Sequence, residues 1–185
     1  VQAVDMVMAG EARRAFCAVR PPGHHAGRDR AMGFCIFNNI AVGAAHAITV
    51  HGLERVAIVD FDVHHGNGTE DIFSGDNRVL MCSTFQHPFY PGTGAGDTAP
   101  NIVNCPLPAM TDGADFRATL RAHWLPVLEA FEPQLILVSA GFDGHIEDDM
   151  AGLGLTAPAG SPVEVAVAAV EWGAYLGAEG LRNGV

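Results

Sequence analysis

The run Asp60-Phe61-Asp62-Val63-His64 alternates polar and apolar side chains. On extended backbone that spacing sends Asp60, Asp62 and His64 to one side, and Phe61 and Val63 to the other. Two carboxylates and an imidazole crowded together are costly unless a cation neutralises them. Another donor, Asp143, closes the run Ser139-Ala140-Gly141-Phe142-Asp143. One His and two carboxylates leave a coordination position open, as catalytic zinc sites do. An oxygen-rich set of this kind also accepts ferrous iron or manganese. Asp143 alone reads as a turn former at a strand end, a common role for Asp. The whole Asp-x-Asp-x-His set, followed by His65-Gly66-Asn67-Gly68-Thr69, does not reduce to turn chemistry.

Arg20-Pro21-Pro22-Gly23-His24-His25-Ala26 presents two adjacent histidines on a loop stiffened by prolines. A lone His is more often a packing or surface residue than a catalyst. Paired rings near spare acceptors differ, because each can be oriented through its far nitrogen. Asn67, and Asp60 if it is not itself a ligand, are the natural orienting groups. A carboxylate raises the pKa of its His, whereas an amide fixes the tautomer with less charge. One ring then suits a base, and the other an electrostatic or proton-donating role. His65 reads as a packing histidine beside a ligand. His46, His51, His87, His123 and His145 receive no catalytic role.

These residues need a scaffold. Arg55–Asp60, Val79–Thr84 and Leu135–Ala140 are continuous apolar, β-branched runs, the mark of strands buried on both faces. Ala15–Val19 is a shorter apolar run that stops at the proline-rich breaker and reads as the first strand. Asn38–Thr49 reads as a helix, Thr69–Phe73 as one or two helical turns, and Asp115–Phe131 as a helix that Pro126 kinks or breaks. Phe85–Asn104, rich in Gly and Pro, reads as a long functional loop. Strands alternating with helices predict an α/β fold, an open parallel sheet with helices on both faces. His24-His25, Asp60-Asp62-His64, Tyr90 and Asp143 would then each follow a different strand and meet at the rim where such sheets bind ligands.

With 185 residues, 49% of them hydrophobic, the chain is long enough for one packed domain. Its net charge of -11 disfavours nucleic acid and is compatible with cationic ligands such as lysine-rich tails or polyamines. No apolar run could span a bilayer, and no secretion signal opens the chain. Its four cysteines form no CxxC pair and predict buried free thiols in a reducing compartment, hence a cytoplasmic protein. The first residue is Val, which predicts that the natural N-terminus lies upstream.

The segments RPPGHHA (20–26), GFCIFNN (33–39), DFDVHHGNGT (60–69), YPGTG (90–94) and SAGFD (139–143) resemble, in order, the histone deacetylases of the arginase/deacetylase fold. They are most similar to the class II enzymes and their bacterial amidohydrolase relatives. The resemblance implies a three-layer α/β fold, here incomplete, and zinc ligation by Asp62, His64 and Asp143. It also implies that His25 is the general base, oriented by Asn67, and that His24 is its neighbour, paired with Asp60. Gly33, Phe34 and Tyr90 would line a narrow channel for an acetyl-lysyl or acetyl-amine chain. Potassium ions would lie near Asp60, Asp62, His64, Ser83 and Thr84, held largely by backbone oxygens. The implied reaction is zinc-dependent hydrolysis of acetyl-lysine in proteins, or of acetylated small amines and polyamines.

The resemblance covers residues 4–156, so residues 1–156 are expected to form a partial catalytic domain. The family's oxyanion tyrosine, in a Glu-Gly-Gly-Tyr-like motif, has no match: Tyr175 sits in Gly173-Ala174-Tyr175-Leu176. Loss of one such donor costs about 100- to 1,000-fold in rate. Back-translating Gly173–Asn183 one nucleotide later permits a sequence close to the missing strand and tyrosine motif, which suggests an out-of-frame tail over residues 157–185. The competing reading is a non-catalytic, zinc-containing module that binds acyl-lysine.

Overall fold

The computed structural model describes residues 1–156. The expected out-of-frame tail and Tyr175 lie outside the described residues. The elements run α1 (Gln2–Met8), α2 (Asn39–Thr49), β1 (Val56–Asp60), α3 (Asn67–Phe73), β2 (Val79–Gln86), β3 (Ile102–Leu107), α4 (Gly113–Thr119), a π-helical turn (Leu120–Trp124), α5 (Leu125–Phe131) and β4 (Leu135–Ser139).

The four strands form one parallel sheet in the order β3-β2-β1-β4. Alternation along β1 divides its side chains between two layers. Val56 and Ile58 join Val79, Leu135 and Leu137 against Val4 of α1 and Ala41, Ala44, Ala47 and Ile48 of α2. Ala57 and Val59 join Leu80, Cys82, Cys105 and Ile136 against Trp124 and Leu128 on the opposite face. The result is the three-layer α/β architecture expected from the apolar strands. Alanines on the buried side of α2 let its backbone approach the sheet, and Asn38 caps the helix by accepting from the Ala41 N–H at 3.0 Å.

Asp60 aligns with Ser83 on β2 and Ser139 on β4, and Ser83 aligns with Asn104 on β3. A polar row, Asn104-Ser83-Asp60-Ser139, therefore crosses the sheet, at the carboxyl ends of β1 and β4 and partway along the longer β2 and β3. This row is the floor on which the candidate site is built.

Several elements differ from expectation. Residues 15–19 form no strand; Phe16 and Val19 are exposed. A strand needs neighbouring backbone to satisfy its N–H and C=O groups, and no described strand pairs with this segment. The predicted loop over 85–104 is shorter than expected, because β2 runs on to Gln86 and β3 begins at Ile102. β3 accommodates Pro106 because it is an edge strand among the described residues, where a missing donor faces no described neighbour. The helix predicted over 115–131 is relieved by the π-helical turn before Pro126, which occupies the first turn of α5. α1 was not anticipated. Cys35, Cys82 and Cys105 are buried free thiols, whereas Cys17 is exposed.

Candidate active site

The strand ends at Asp60, and the chain bends immediately after it, so Asp60, Asp62 and His64 do not lie on one extended segment. Their convergence has another origin. Asp60 Oδ1 accepts from the Asp62 N–H at 3.1 Å, and Asp62 Oδ1 accepts from the His64 N–H at 2.8 Å. Asp143 Oδ1 accepts from the Val63 N–H at 3.1 Å, tying the turn after β4 to the turn after β1. Each carboxylate holds the bend with one oxygen and retains capacity on the other. A Cβ at Gly141 would run into the Asp62 carboxylate, so only glycine admits this approach of the two turns.

His64 Nδ1 lies 3.1 Å from Asp62 Oδ1 and 3.0 Å from Asp143 Oδ2. Donor atoms of Asp62, His64 and Asp143 all lie within 4.8 Å of one another, as required of residues that could hold a metal ion. A tetrahedral ion with bonds of about 2.0 Å spaces its ligands roughly 3.3 Å apart, so this triangle fits. The cluster also attracts positive charge strongly. Hydrogen bonds to Asp143 and then Asp62, against the opposing effect of burial, hold the His64 imidazole up at about 9.

The histidine pair comes from a loop rather than a strand end. Backbone N–H groups of Gly68 and Thr69, in the first turn of α3, both donate to the His24 carbonyl at 3.0 and 3.1 Å. The rings of His24 and His25 lie 4.1 Å apart between centroids. His24 Nδ1 meets Asp60 Oδ2 at 2.8 Å, and His25 Nδ1 meets Asn67 Oδ1 at 2.7 Å. Burial disfavours charge on His24, but the Asp60 carboxylate, by charge and hydrogen bond, outweighs it and raises the ring to about 9. Burial and then the His24 charge push His25 down to about 4, with the Asn67 hydrogen bond opposing. Near neutral pH the two neighbours therefore differ: His24 is a cation, and His25 is a neutral ring. The Asn67 carbonyl accepts a hydrogen bond from His25 Nδ1–H, which leaves Nε2 with its lone pair.

The Tyr90 ring stands edge-on to His25 at 5.2 Å and to His64 at 6.0 Å. Phe34 is 84% exposed and takes a left-handed backbone, φ 62°, directly after Gly33 at φ 55°. A Cβ at Gly33 would enter the His25 ring, so glycine lets this turn close over the histidines. Ser83 and Thr84 are buried, and neither hydroxyl has a hydrogen-bond partner among the described residues. With Asp60 fully buried beside Ser83 in register, a group of buried polar side chains underlies the turn.

Other contributors escaped the sequence reading. Phe89 stacks on His64 at 5.5 Å, and Met32 Sδ accepts from the Asn67 amide at 3.4 Å. Neither carries a motif of its own; position beside Tyr90 and Gly33 is the available signal. His65 is buried and bridges Thr93 Oγ1 (2.8 Å) to Glu70 Oε2 (2.9 Å), while Asn104 donates to the same Glu70 oxygen at 2.7 Å. This network ties the Tyr90–Gly94 segment to α3 and β3.

Comparison with known proteins gives the family and the fold. The chain is 43% identical over 162 residues to the histone deacetylase-like amidohydrolase of Pseudomonas aeruginosa, covering 84% of this chain and 43% of that protein. It superposes on the crystal structure of the HDA15 HD domain with a TM-score of 0.80 at 39% identity, covering 84% of this chain and 46% of that one. The acetylpolyamine aminohydrolase from Burkholderia pseudomallei gives a TM-score of 0.74 at 36% identity, covering 82% and 46%. The chain thus spans less than half the length of each of these proteins. Residues 1–172 match the histone deacetylase domain, and the chain belongs to the histone deacetylase family, with its α/β fold.

Proposed function

We propose that residues 1–156 supply the metal-binding and proton-transfer part of a zinc-dependent amidohydrolase. Its substrates would be acetyl-lysine of proteins or acetylated small amines and polyamines. The observation that carries this reading is the donor triangle of Asp62, His64 and Asp143, with a neutral and a cationic histidine beside it. A zinc ion held by those three residues would polarise the acetyl carbonyl and acidify water. Ferrous iron suits the same donors.

The residues of the chain divide the remaining work. His25 Nε2 accepts the proton of the attacking water, since its Nδ1 proton is committed to Asn67. His24, held cationic by Asp60, stabilises the negative charge that develops on the acetyl carbon's oxygen substituents. A protonated imidazole then returns a proton to the leaving amine. Tyr90, Phe34 and Gly33 flank the approach of an extended acetylated chain. The net charge of -11 favours a cationic substrate such as a polyamine or lysine-rich tail, and one of the similar solved proteins is an acetylpolyamine aminohydrolase. The unpartnered Ser83 and Thr84 hydroxyls around buried Asp60 support a potassium ion there, with Asp62 and His64 contributing oxygens from the adjoining bend. Four free thiols suit a reducing compartment such as the cytoplasm. Among the described residues no helix is long and apolar enough to cross a membrane.

The test is hydrolysis of a fluorogenic acetyl-lysine peptide and of an acetylated polyamine, with and without chelator. Chelator-sensitive turnover restored by zinc supports the reading. Stoichiometric metal and ligand binding without turnover would instead favour an acyl-lysine-binding module.

A further inference from the structure

Away from the candidate active site, the structure brings together three side chains that the sequence reading left without a role. Asp5 lies on α1, His46 in the last turn of α2, and His51 just after Val50, which caps the end of α2. Nε2 of His46 and Nε2 of His51 both point at the same Asp5 oxygen, Oδ1, at 2.6 and 2.8 Å. The two rings meet edge to face, 5.3 Å between centroids. One ligand atom from each of the three residues lies within 4.8 Å of the others, the same criterion the Asp62, His64 and Asp143 cluster meets.

We propose that Asp5, His46 and His51 form a second divalent-metal site, taking zinc or a similar imidazole-seeking ion. Two imidazole nitrogens and a carboxylate suit zinc, nickel or copper rather than magnesium or calcium, which prefer all-oxygen sets. The histidine side chains are 18% and 23% exposed and Asp5 is 47% exposed, so water can complete the coordination from the open side. His46 sits where the α2 carbonyls terminate, and the helix dipole there favours a cation. Bound metal would replace the imidazole protons that now bridge to Oδ1, leaving both rings neutral and ligating through Nε2.

The site is separate from the chemistry. Asn38, at the start of α2, bonds to Ala26 and Thr69 beside the histidine loop. The far end of this 11-residue helix lies roughly 16 Å away along its axis. From there the chain enters the amino end of β1, so the cluster lies at the rim opposite the active site. Its effect is structural: α1 has only seven residues and buries only Val4, and a metal shared with α2 would fasten it to the body of the domain.

The test counts zinc bound to the tag-free full chain by plasma mass spectrometry after equilibrium dialysis. The unmodified chain is expected to hold two equivalents, H51Q one, the D62N/D143N double variant one, and the combination of all three substitutions none. Zinc is also expected to protect His46 and His51 of the unmodified chain from diethyl pyrocarbonate, which requires no substitution to be tolerated. A single equivalent that D62N/D143N abolishes and H51Q leaves intact would overturn the proposal. So would equal modification of His51 with and without zinc.

Discussion

Asp60→Asn isolates the interaction that sets the two histidines apart. The substitution keeps side-chain size and an oxygen near His24 Nδ1, now 2.8 Å from the carboxylate, but removes the charge. At an effective dielectric of about 20, opposite charges roughly 4 Å apart attract by about 4 kcal/mol, or about 3 pKa units. That exceeds the net rise of His24 from 6.5 to about 9, because burial subtracts from what Asp60 contributes. In the variant, His24 should therefore titrate well below its value of about 9, with the remaining Asp62 and Asp143 charges still opposing burial. His25, held down by burial and then by the His24 charge, should move upward from about 4. Long-range ¹H–¹⁵N correlation spectra of the imidazoles in metal-free chain follow both rings separately. An unchanged His24 titration in Asp60→Asn would refute this electrostatic assignment, since among the described residues Asp60 is the acid that meets its Nδ1, and Asp62 lies farther off, 3.7 Å from Nε2.

Three further outcomes follow from the same geometry. His25→Ala should lower kcat by about 100- to 10,000-fold while the metal content of the chain stays unchanged; equal losses of metal and activity would assign His25 a structural role instead. Gly141→Ala forces a Cβ against the Asp62 carboxylate and should weaken zinc affinity about 10- to 100-fold, measured by competition with a chromogenic chelator. In metal-free chain, stability should peak near pH 6.5. The stability that raised His24 and His64 contribute is complete below their unfolded pKa of 6.5 and disappears as pH climbs through about 9. Depressed His25 stays neutral in the fold, so stability declines as pH drops from 6.5 toward about 4 and the unfolded chain takes the proton. The acid arm is worth about 3 kcal/mol, and the alkaline arm, which two histidines share, at least as much; urea midpoints across pH 4 to 9 measure both, and a flat profile would contradict these shifts.

Legibility from sequence tracked the physical origin of each feature. Apolar β-branched runs at 56–60, 79–84 and 135–139 declare buried parallel strands because both faces must be apolar. β3 was hidden because an edge strand tolerates Pro106 and a mixed pattern, so its sequence reads as loop. Residues 15–19 carry a strand's composition without a described neighbour to pair with, and composition cannot supply an edge. The residues of the donor triangle were visible as types and spacing, but the reason they converge was not. Period-two alternation suggested an extended segment, whereas three carboxylate-to-backbone hydrogen bonds hold a bend. Asp5 with His46 and His51 shows the opposite case, because its members, some 40 residues apart, share no motif and meet only through the packing of α1 on α2.

The proposed chemistry requires that Asp62, His64 and Asp143 bind one divalent ion directly. Anomalous diffraction from crystals of the zinc-loaded chain, collected on either side of the zinc absorption edge, tests it most directly. A peak is expected within about 2.0–2.2 Å of His64 Nδ1 and of one oxygen from each aspartate. A zinc-loaded crystal with no peak among these three residues, or with Asp143 outside bonding reach of the ion, would contradict it.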